Sequence, residues 1–536
     1  MRKYVYVTLT SILLAALSLR LYPTLVSGQP FSTDACSPIR NAELLMKHTP
    51  VPLDDVMFDG YNNHWPANSL FGVVFSQVIG VELKQAMALV FPVIGAMAIL
   101  VFFALVERLF SATISLVASA FFATAFTHVL FTAGVTKETY ANPLYLLLIL
   151  IFLHPTLGGR RQTFLFAVTS MALALTHHLT PLITIAILSG IAIGHFVGNM
   201  KKGLPLYKSD FLLVAVLTAV TTLYYLFYGQ AGFKPSLTPI DWLSAASYQA
   251  VLFPLTLWLA LKHQTQSKAR TAFMCSTFSV AVFAFTWLAT RKPLVPGAPV
   301  LPANYILYAG PFIAAAPLCV LGYGMMRKMC SGEHVMPLFW LAAVLGLEGY
   351  AIFGNAGPGL GLTLAYRGVN FILPPLAILL ALGVHRLYEH EGSRKAFKVG
   401  AAALTLFILF TNVYSFYAAV NLQERYMGYF WLYRVPEYCA AAWVKGLAGN
   451  MTVAGDVKTF YLLKYYFDVN VDVFQGLKYL TGNARKPQIL FVYDQMFKNG
   501  YVVYGGYSVD LPENWTEEAS SLNQVYSNGL ANIYVG

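Results

Sequence analysis

The chain has 536 residues, of which 57% are hydrophobic and only 11% charged, with a mean hydropathy of +0.60 and a formal net charge of +11. These values exclude a string of ordinary soluble domains and describe a polytopic membrane protein. Lys and Arg stand singly or in pairs between apolar runs and form no patch, so nucleic acid is excluded as a partner.

Thirteen apolar runs predict spanning helices near 4–20, 87–106, 112–134, 141–154, 163–177, 181–198, 210–228, 248–261, 272–290, 304–325, 335–352, 369–385 and 399–419. The first is read as a retained anchor, with Arg20, Tyr22 and Pro23 as its interfacial exit. Placing Arg2 and Lys3 in the cytoplasm makes alternate connections rich in Lys and Arg, for example Arg160–Arg161, Lys201–Lys202 and Arg327–Lys328. Seventeen cations then fall inside and nine outside, as expected for cytoplasmic loops, and an odd span count puts the C-terminal segment outside. Two sequons in that segment, Asn450-Met-Thr and Asn514-Trp-Thr, agree with the outer placement.

The expected organisation is a transmembrane domain over residues 1–420, carrying a large first outer loop at 21–86, and an extracytoplasmic α/β domain over 421–536. In the latter, "MTVAG" (451–455), "QILFVYD" (488–494) and "YVVYGG" (501–506) read as strands, and a helix starts at Pro436. The fold class is therefore an all-α polytopic membrane protein of about thirteen transmembrane helices with a small C-terminal α/β domain. Five cysteines show no metal-ligand spacing, and a Cys36–Cys439 bridge is left open.

Under this topology the polar residues at span ends collect on the outer face: the first loop, Lys137 and Glu138, His177 and His178, Glu348 and Arg367. The longest cytoplasmic connection, about 386–398, has no room for a P-loop or a dinucleotide fingerprint. Chemistry on the outer face needs an activated substrate delivered by the lipid bilayer, and a polyprenyl-phosphate sugar meets that need. Sugar transfer from a lipid phosphate passes through an oxocarbenium-like state while negative charge grows on the departing phosphate. A carboxylate must take the acceptor's proton, and cations or a metal must neutralise the phosphate. Asp34, close behind the first span, is the candidate base. Arg367, His177, His178 and Lys137 are the candidate phosphate partners, and Glu138 and Glu348 are further carboxylates. Should a divalent metal (Mg2+ or Mn2+) take part, Asp34, Glu138 and His178 are its candidate ligands.

At these residues the sequence resembles the C-type membrane glycosyltransferases (GT-C). The first loop looks most like the oligosaccharyltransferase catalytic subunit and its archaeal relatives. The matches are Asp34, Arg40 and Glu43, then "FDGYNNHWP" with Asp59, Tyr61, Asn63 and Pro66, and more loosely "KETYANP" and "YRGVNF". The chain departs from that pattern in having no WWDYG motif and only Glu138, beside Lys137, where a pair of acidic residues is expected. It is overall more similar to protein O-mannosyltransferases and aminoarabinose transferases. The resemblance implies an inverting single displacement with Asp34 as base, Arg40, Asp59, Asn63 and His64 contacting substrate, and an acceptor that is an extracytoplasmic lipid, glycan or protein. It also implies a prokaryotic plasma membrane, an archaeal one being favoured. The alternatives are a transporter or flippase for a lipid-linked sugar and an oligosaccharide-transferring enzyme.

Overall fold

The computed structural model describes residues 2–48, 60–154, 159–201, 203, 208–232, 238–261, 267–294, 298–329, 333–354, 358–389, 395–422, 431–499, 501–504 and 507–536. By its internal contacts the chain forms two units. One comprises Met1–Leu19, Ile94–Phe131 and Tyr140–Phe416, and the other Arg20–Val93, Thr132–Thr139 and Tyr417–Gly536.

Each of the thirteen apolar runs is helical over most of its length, and the protein is a polytopic α-helical membrane protein. Among the described residues, ten helices are long and apolar enough to cross a membrane, and the bent pair Ala112–Thr124 and Phe126–Thr132 makes eleven if it is counted as one span. The remaining two runs form the shorter helices Lys137–Phe152 and Gly159–Thr176. The bent pair turns by 65° at Ala125, where the Phe126 N–H, orphaned by the break, donates to Asn412 Oδ1 (3.0 Å). A side chain thus supplies the acceptor that the interrupted ladder lacks.

Within the first unit, helices Gly310–Met326 and Pro358–Glu389 run backbone against backbone. A Cβ on Gly322 would strike the Leu379 carbonyl, and one on Gly383 would strike that of Leu318. Small residues allow this approach where water supplies no hydrophobic drive between helices.

The second unit contains a five-stranded sheet in the order β2-β1-β3-β7-β6. Its strands are β1 (Val453–Ala454), β2 (Val471–Asp472), β3 (Ile489–Tyr493), β6 (Asn523–Ser527) and β7 (Ala531–Val535), with β4 (Tyr501–Tyr504) and β5 (Tyr507–Asp510) as a separate hairpin. β1 pairs in parallel with β2 and β3, whereas β7 is antiparallel to both β3 and β6. All five residues of β3 are buried, which is why "ILFVY" is apolar without alternation. Helix Val435–Ala448 opens with Pro436 in its first turn, and Glu437 Oε2 accepts from the Arg434 N–H (2.8 Å). The other oxygen of Glu437 pairs with the fully buried Lys458 ammonium (2.6 Å), which also donates to Gln495 (2.9 Å).

The first loop packs with the C-terminal segment inside this unit. Arg40 on helix Cys36–Lys47 pairs with Asp468 (3.1 Å) and donates to the Tyr466 carbonyl (3.1 Å), while the Tyr466 hydroxyl donates to Glu43 (3.0 Å). Lys84 lies 3.9 Å from the centre of the Tyr438 ring. The first helix runs past Pro23 to Ser27, and Arg20 on it is fully buried, its Nε donating to Thr132 Oγ1 (2.8 Å). Cys36 and Cys439 are both free, the former buried and the latter exposed. Burial and the neighbouring Asp34 charge push the Cys36 thiol up to about 12.

Candidate active site

Asp34 is exposed while its neighbours Phe31, Ser32, Thr33, Ala35 and Cys36 are buried. It sits on a single 3-10 turn, Thr33–Ala35, whose shape depends on Ser32. That serine has φ +84° and ψ 137°, a sparsely populated conformation that costs a non-glycine residue about 1–3 kcal/mol. Its hydroxyl accepts the Asp34 N–H (3.2 Å), its carbonyl accepts the Ala35 N–H (3.2 Å), and its own N–H donates to the Trp431 carbonyl (2.8 Å). Phe31 meets the Trp431 ring edge-on at 6.0 Å. Backbone strain over-determined by this many partners is a mark of a functional position.

The segment Thr132–Thr139 lies under the same turn. A Cβ on Gly134 would strike the Phe31 carbonyl (2.6 Å) and the Ser32 side chain (2.8 Å), so only glycine lets the two segments meet. Thr136 Oγ1 accepts the Thr139 N–H (3.1 Å) and Thr139 Oγ1 donates to the Gly134 carbonyl (2.7 Å), which starts helix Lys137–Phe152. Lys137 and Glu138 are thereby held in its first turn, 7% and 8% exposed. The Lys137 ammonium stands 5.3 Å from the centre of the Trp65 ring, itself buried. His64, beside that tryptophan, is buried, and burial together with the Lys137 charge lowers its pKa. Asn63 is buried in the same turn, and Asn62 Nδ2 ties it to Ser37 Oγ (2.8 Å). Asp34, Asn63, His64, Lys137 and Glu138 therefore belong to one packed unit. Arg40 belongs to it too, engaged with Asp468 and Tyr466. Asp54, Asp55 and Asp59 lie outside the described residues.

The remaining candidates lie in the first unit. Arg367 Nη1 is 3.1 Å from His177 Nε2, and His177 Nδ1 is 2.6 Å from Thr180 Oγ1. The Thr180 N–H also points at Nδ1 (3.2 Å) and competes for that nitrogen. The guanidinium can only donate, so it faces Nε2 as a donor, while Nδ1 is engaged by the Thr180 hydroxyl and N–H. His178 is buried with its ring edge-on to that of His177 at 4.6 Å, and its carbonyl accepts from the Tyr225 hydroxyl (2.6 Å). Glu348 is 8% exposed and lies directly over Gly368, where a Cβ would overlap its carboxylate.

Among the described residues no group of three or more His, Cys, Asp or Glu gathers as a metal site would require. Asp34 and Glu138 share a unit, and His178 belongs to the other.

Neither a family model nor a curated protein sequence matches the chain. Solved structures do. The apo oligosaccharyltransferase of Archaeoglobus fulgidus overlays with a TM-score of 0.60 at 15% identity, over 92% of this chain and 70% of that one. The chain has the C-type glycosyltransferase (GT-C) fold. The same archaeal enzyme, AglB, in complex with an inhibitory peptide and a dolichol-phosphate overlays at 0.58 with 14% identity, over 92% and 70%. ArnT from Cupriavidus metallidurans aligns over 99% of this chain and 97% of its own at 13% identity, with a TM-score of 0.36.

Sequence reasoning missed three residues that shape the candidate site. The signal for Ser32 was present in "STD", since a serine hydroxyl readily accepts the N–H two residues on. Gly134 and Trp431 gave none, because each acts through a segment distant in sequence.

Proposed function

We propose that the protein transfers a sugar from a polyprenyl-phosphate donor to an acceptor on the outer face of the membrane, with Asp34 as the base. Asp34 accepts the acceptor's proton as the acceptor atom bonds to the sugar's anomeric carbon. The bond from that carbon to the phosphate oxygen breaks, and its electron pair leaves with the lipid phosphate. The observation that carries this reading is the Asp34 turn: an exposed carboxylate on a strained, multiply anchored backbone in a chain of GT-C fold.

The cations divide into two sets. Lys137 supplies a positive charge in the unit that holds Asp34, and Arg367, beside His177 Nε2, supplies one in the other. Both are suited to phosphate oxygens, to which charge-assisted hydrogen bonds are the strong ones. Arg40, paired with Asp468, positions the first loop, and Asn63 and His64 line the base of the site. Asp59 is carried only by its place in the motif. Glu348 shapes the helix contact at Gly368 beside Arg367. An apolar groove of about 220 Å3, lined by Phe121, Phe278, Phe312, Leu373 and Leu380, offers a seat for a prenyl chain. Leu373 lies six residues beyond Arg367, roughly 9 Å along the helix, so a phosphate at Arg367 and a tail in the groove are compatible. The proposed orientation places the N-terminus in the cytoplasm and residues 421–536 outside.

The test is a panel of radiolabelled polyprenyl-phosphate sugars offered to the purified protein in vesicles, with native membrane lipids and proteins as acceptors and with and without a chelator. Label is expected to move from at least one donor to an acceptor, which names the sugar, and the chelator arm decides metal dependence. Label that crosses the bilayer without transfer would replace this reading with a flippase.

A further inference from the structure

The C-terminal segment carries two Asn-x-Thr sequons, and their backbones differ in a way that decides which one a glycosyltransferase can use. A transferase that reads both the asparagine amide and the hydroxyl two residues on must meet the two on one side of the chain. In an extended segment residues i and i+2 share a face, whereas in a helix they point about 200° apart.

Asn450 is exposed, follows the left-handed Gly449 (φ +50°) at the end of helix Val435–Ala448, and leads through Met451 and Thr452 into β1. Met451 and Thr452 are non-helical and partly exposed; the Met451 N–H closes a turn on the Ala448 carbonyl (2.7 Å), and the Thr452 N–H makes a long bond to Gln488 Oε1 (3.4 Å). Asn514 is also exposed, but it stands at the start of helix Trp515–Ser520, with its carbonyl accepting the Glu517 N–H (3.0 Å). Trp515, the middle residue of that sequon, is 5% exposed, with its ring 4.8 Å from that of Phe497. Thr516 lies inside the helix. Bringing Asn514 and Thr516 to one face would unwind this helix and extract Trp515 from the core, at a cost that the Asn450 sequon does not carry.

We infer that Asn450 is an N-glycosylation site and that Asn514 is not, an assignment that rests on the outer placement of this segment proposed above. The donor is a lipid-phosphate- or lipid-pyrophosphate-linked glycan. The bond formed joins Asn450 Nδ2 to the anomeric carbon, the carbon–phosphate-oxygen bond breaks, and one amide proton passes to the transferase's base.

The experiment uses the full-length protein isolated from its native membranes. Peptide mass spectrometry is expected to find a glycan on the Asn450 peptide and none on the Asn514 peptide, with N450Q but not N514Q running faster on a denaturing gel. In parallel, a membrane-impermeant maleimide is applied to intact cells, where the exposed Cys439 reports the sidedness of the segment and C439S is the control. An unmodified Asn450 with Cys439 labelled from outside would overturn the assignment alone, and so would a glycan on Asn514. Cys439 protected in intact cells but labelled after lysis would overturn it together with the proposed orientation.

Discussion

Removing the Ser32 hydroxyl separates the stability of the Asp34 turn from its catalytic use. Ser32→Ala keeps the strain at φ +84° and loses the bond to the Asp34 N–H, a net contribution of about 1 kcal/mol. Ser32→Gly loses the same bond and about 0.5–1 kcal/mol of backbone entropy, but relieves about 1–3 kcal/mol of strain. The two changes therefore act on stability differently, the alanine variant melting lower and the glycine variant close to wild type. They act alike on catalysis, because in both the turn no longer fixes Asp34. Misplacing a catalytic group by about 1 Å costs on the order of 100-fold, so each variant is expected to lose about 10–100-fold in kcat with little change in donor KM. The assay pairs thermal melting in detergent with steady-state transfer. A glycine variant that transfers at the wild-type rate would refute the reasoning, as would a kcat loss that simply follows melting temperature across the two variants.

Other outcomes follow from the same geometry. Arg367→Ala is expected to weaken donor binding by about 1.5–3 kcal/mol, or roughly 10–150-fold, measured by titration with labelled donor. Lys458→Met leaves Glu437 buried without its cation and is expected to cost about 3–5 kcal/mol, read as a large drop in melting temperature with no change in kcat for the surviving fraction. Gly322→Ala forces apart two helices packed on the Leu379 carbonyl, at a cost of about 1–3 kcal/mol in the same melting assay. The folded state binds a proton at His64 less readily than the unfolded chain, so its contribution is complete above the unfolded pKa of about 6.5 and is lost as pH falls through the lowered folded value. His64→Gln should flatten the melting curve against pH in that acidic window.

The helices were legible because a spanning segment must be apolar over its whole length, and all thirteen runs are helical over most of their length. The 65° bend at Ala125 was not, since its cap is Asn412, 286 residues away. Helix Val435–Ala448 and strands β1, β3 and β4 announced themselves by Pro436 and by apolar β-branched runs. β2 has two residues and β6 is mostly exposed, so neither leaves a hydrophobic pattern to read. In the candidate site, Asp34 and Lys137 stood out as charges in an apolar chain. What holds them did not: Ser32 at positive φ, Gly134 under Phe31, and Arg40 joined to Asp468 are all products of tertiary contact.

The central claim is that Asp34 removes the acceptor's proton. Its most direct measurement is a single-turnover transfer by wild type and Asp34→Asn, each loaded with the labelled donor sugar that the panel identifies, together with the donor affinity of both. The account predicts equal donor binding and equal melting temperature, with transfer abolished in the asparagine variant. Transfer by Asp34→Asn at a rate near that of wild type would contradict it.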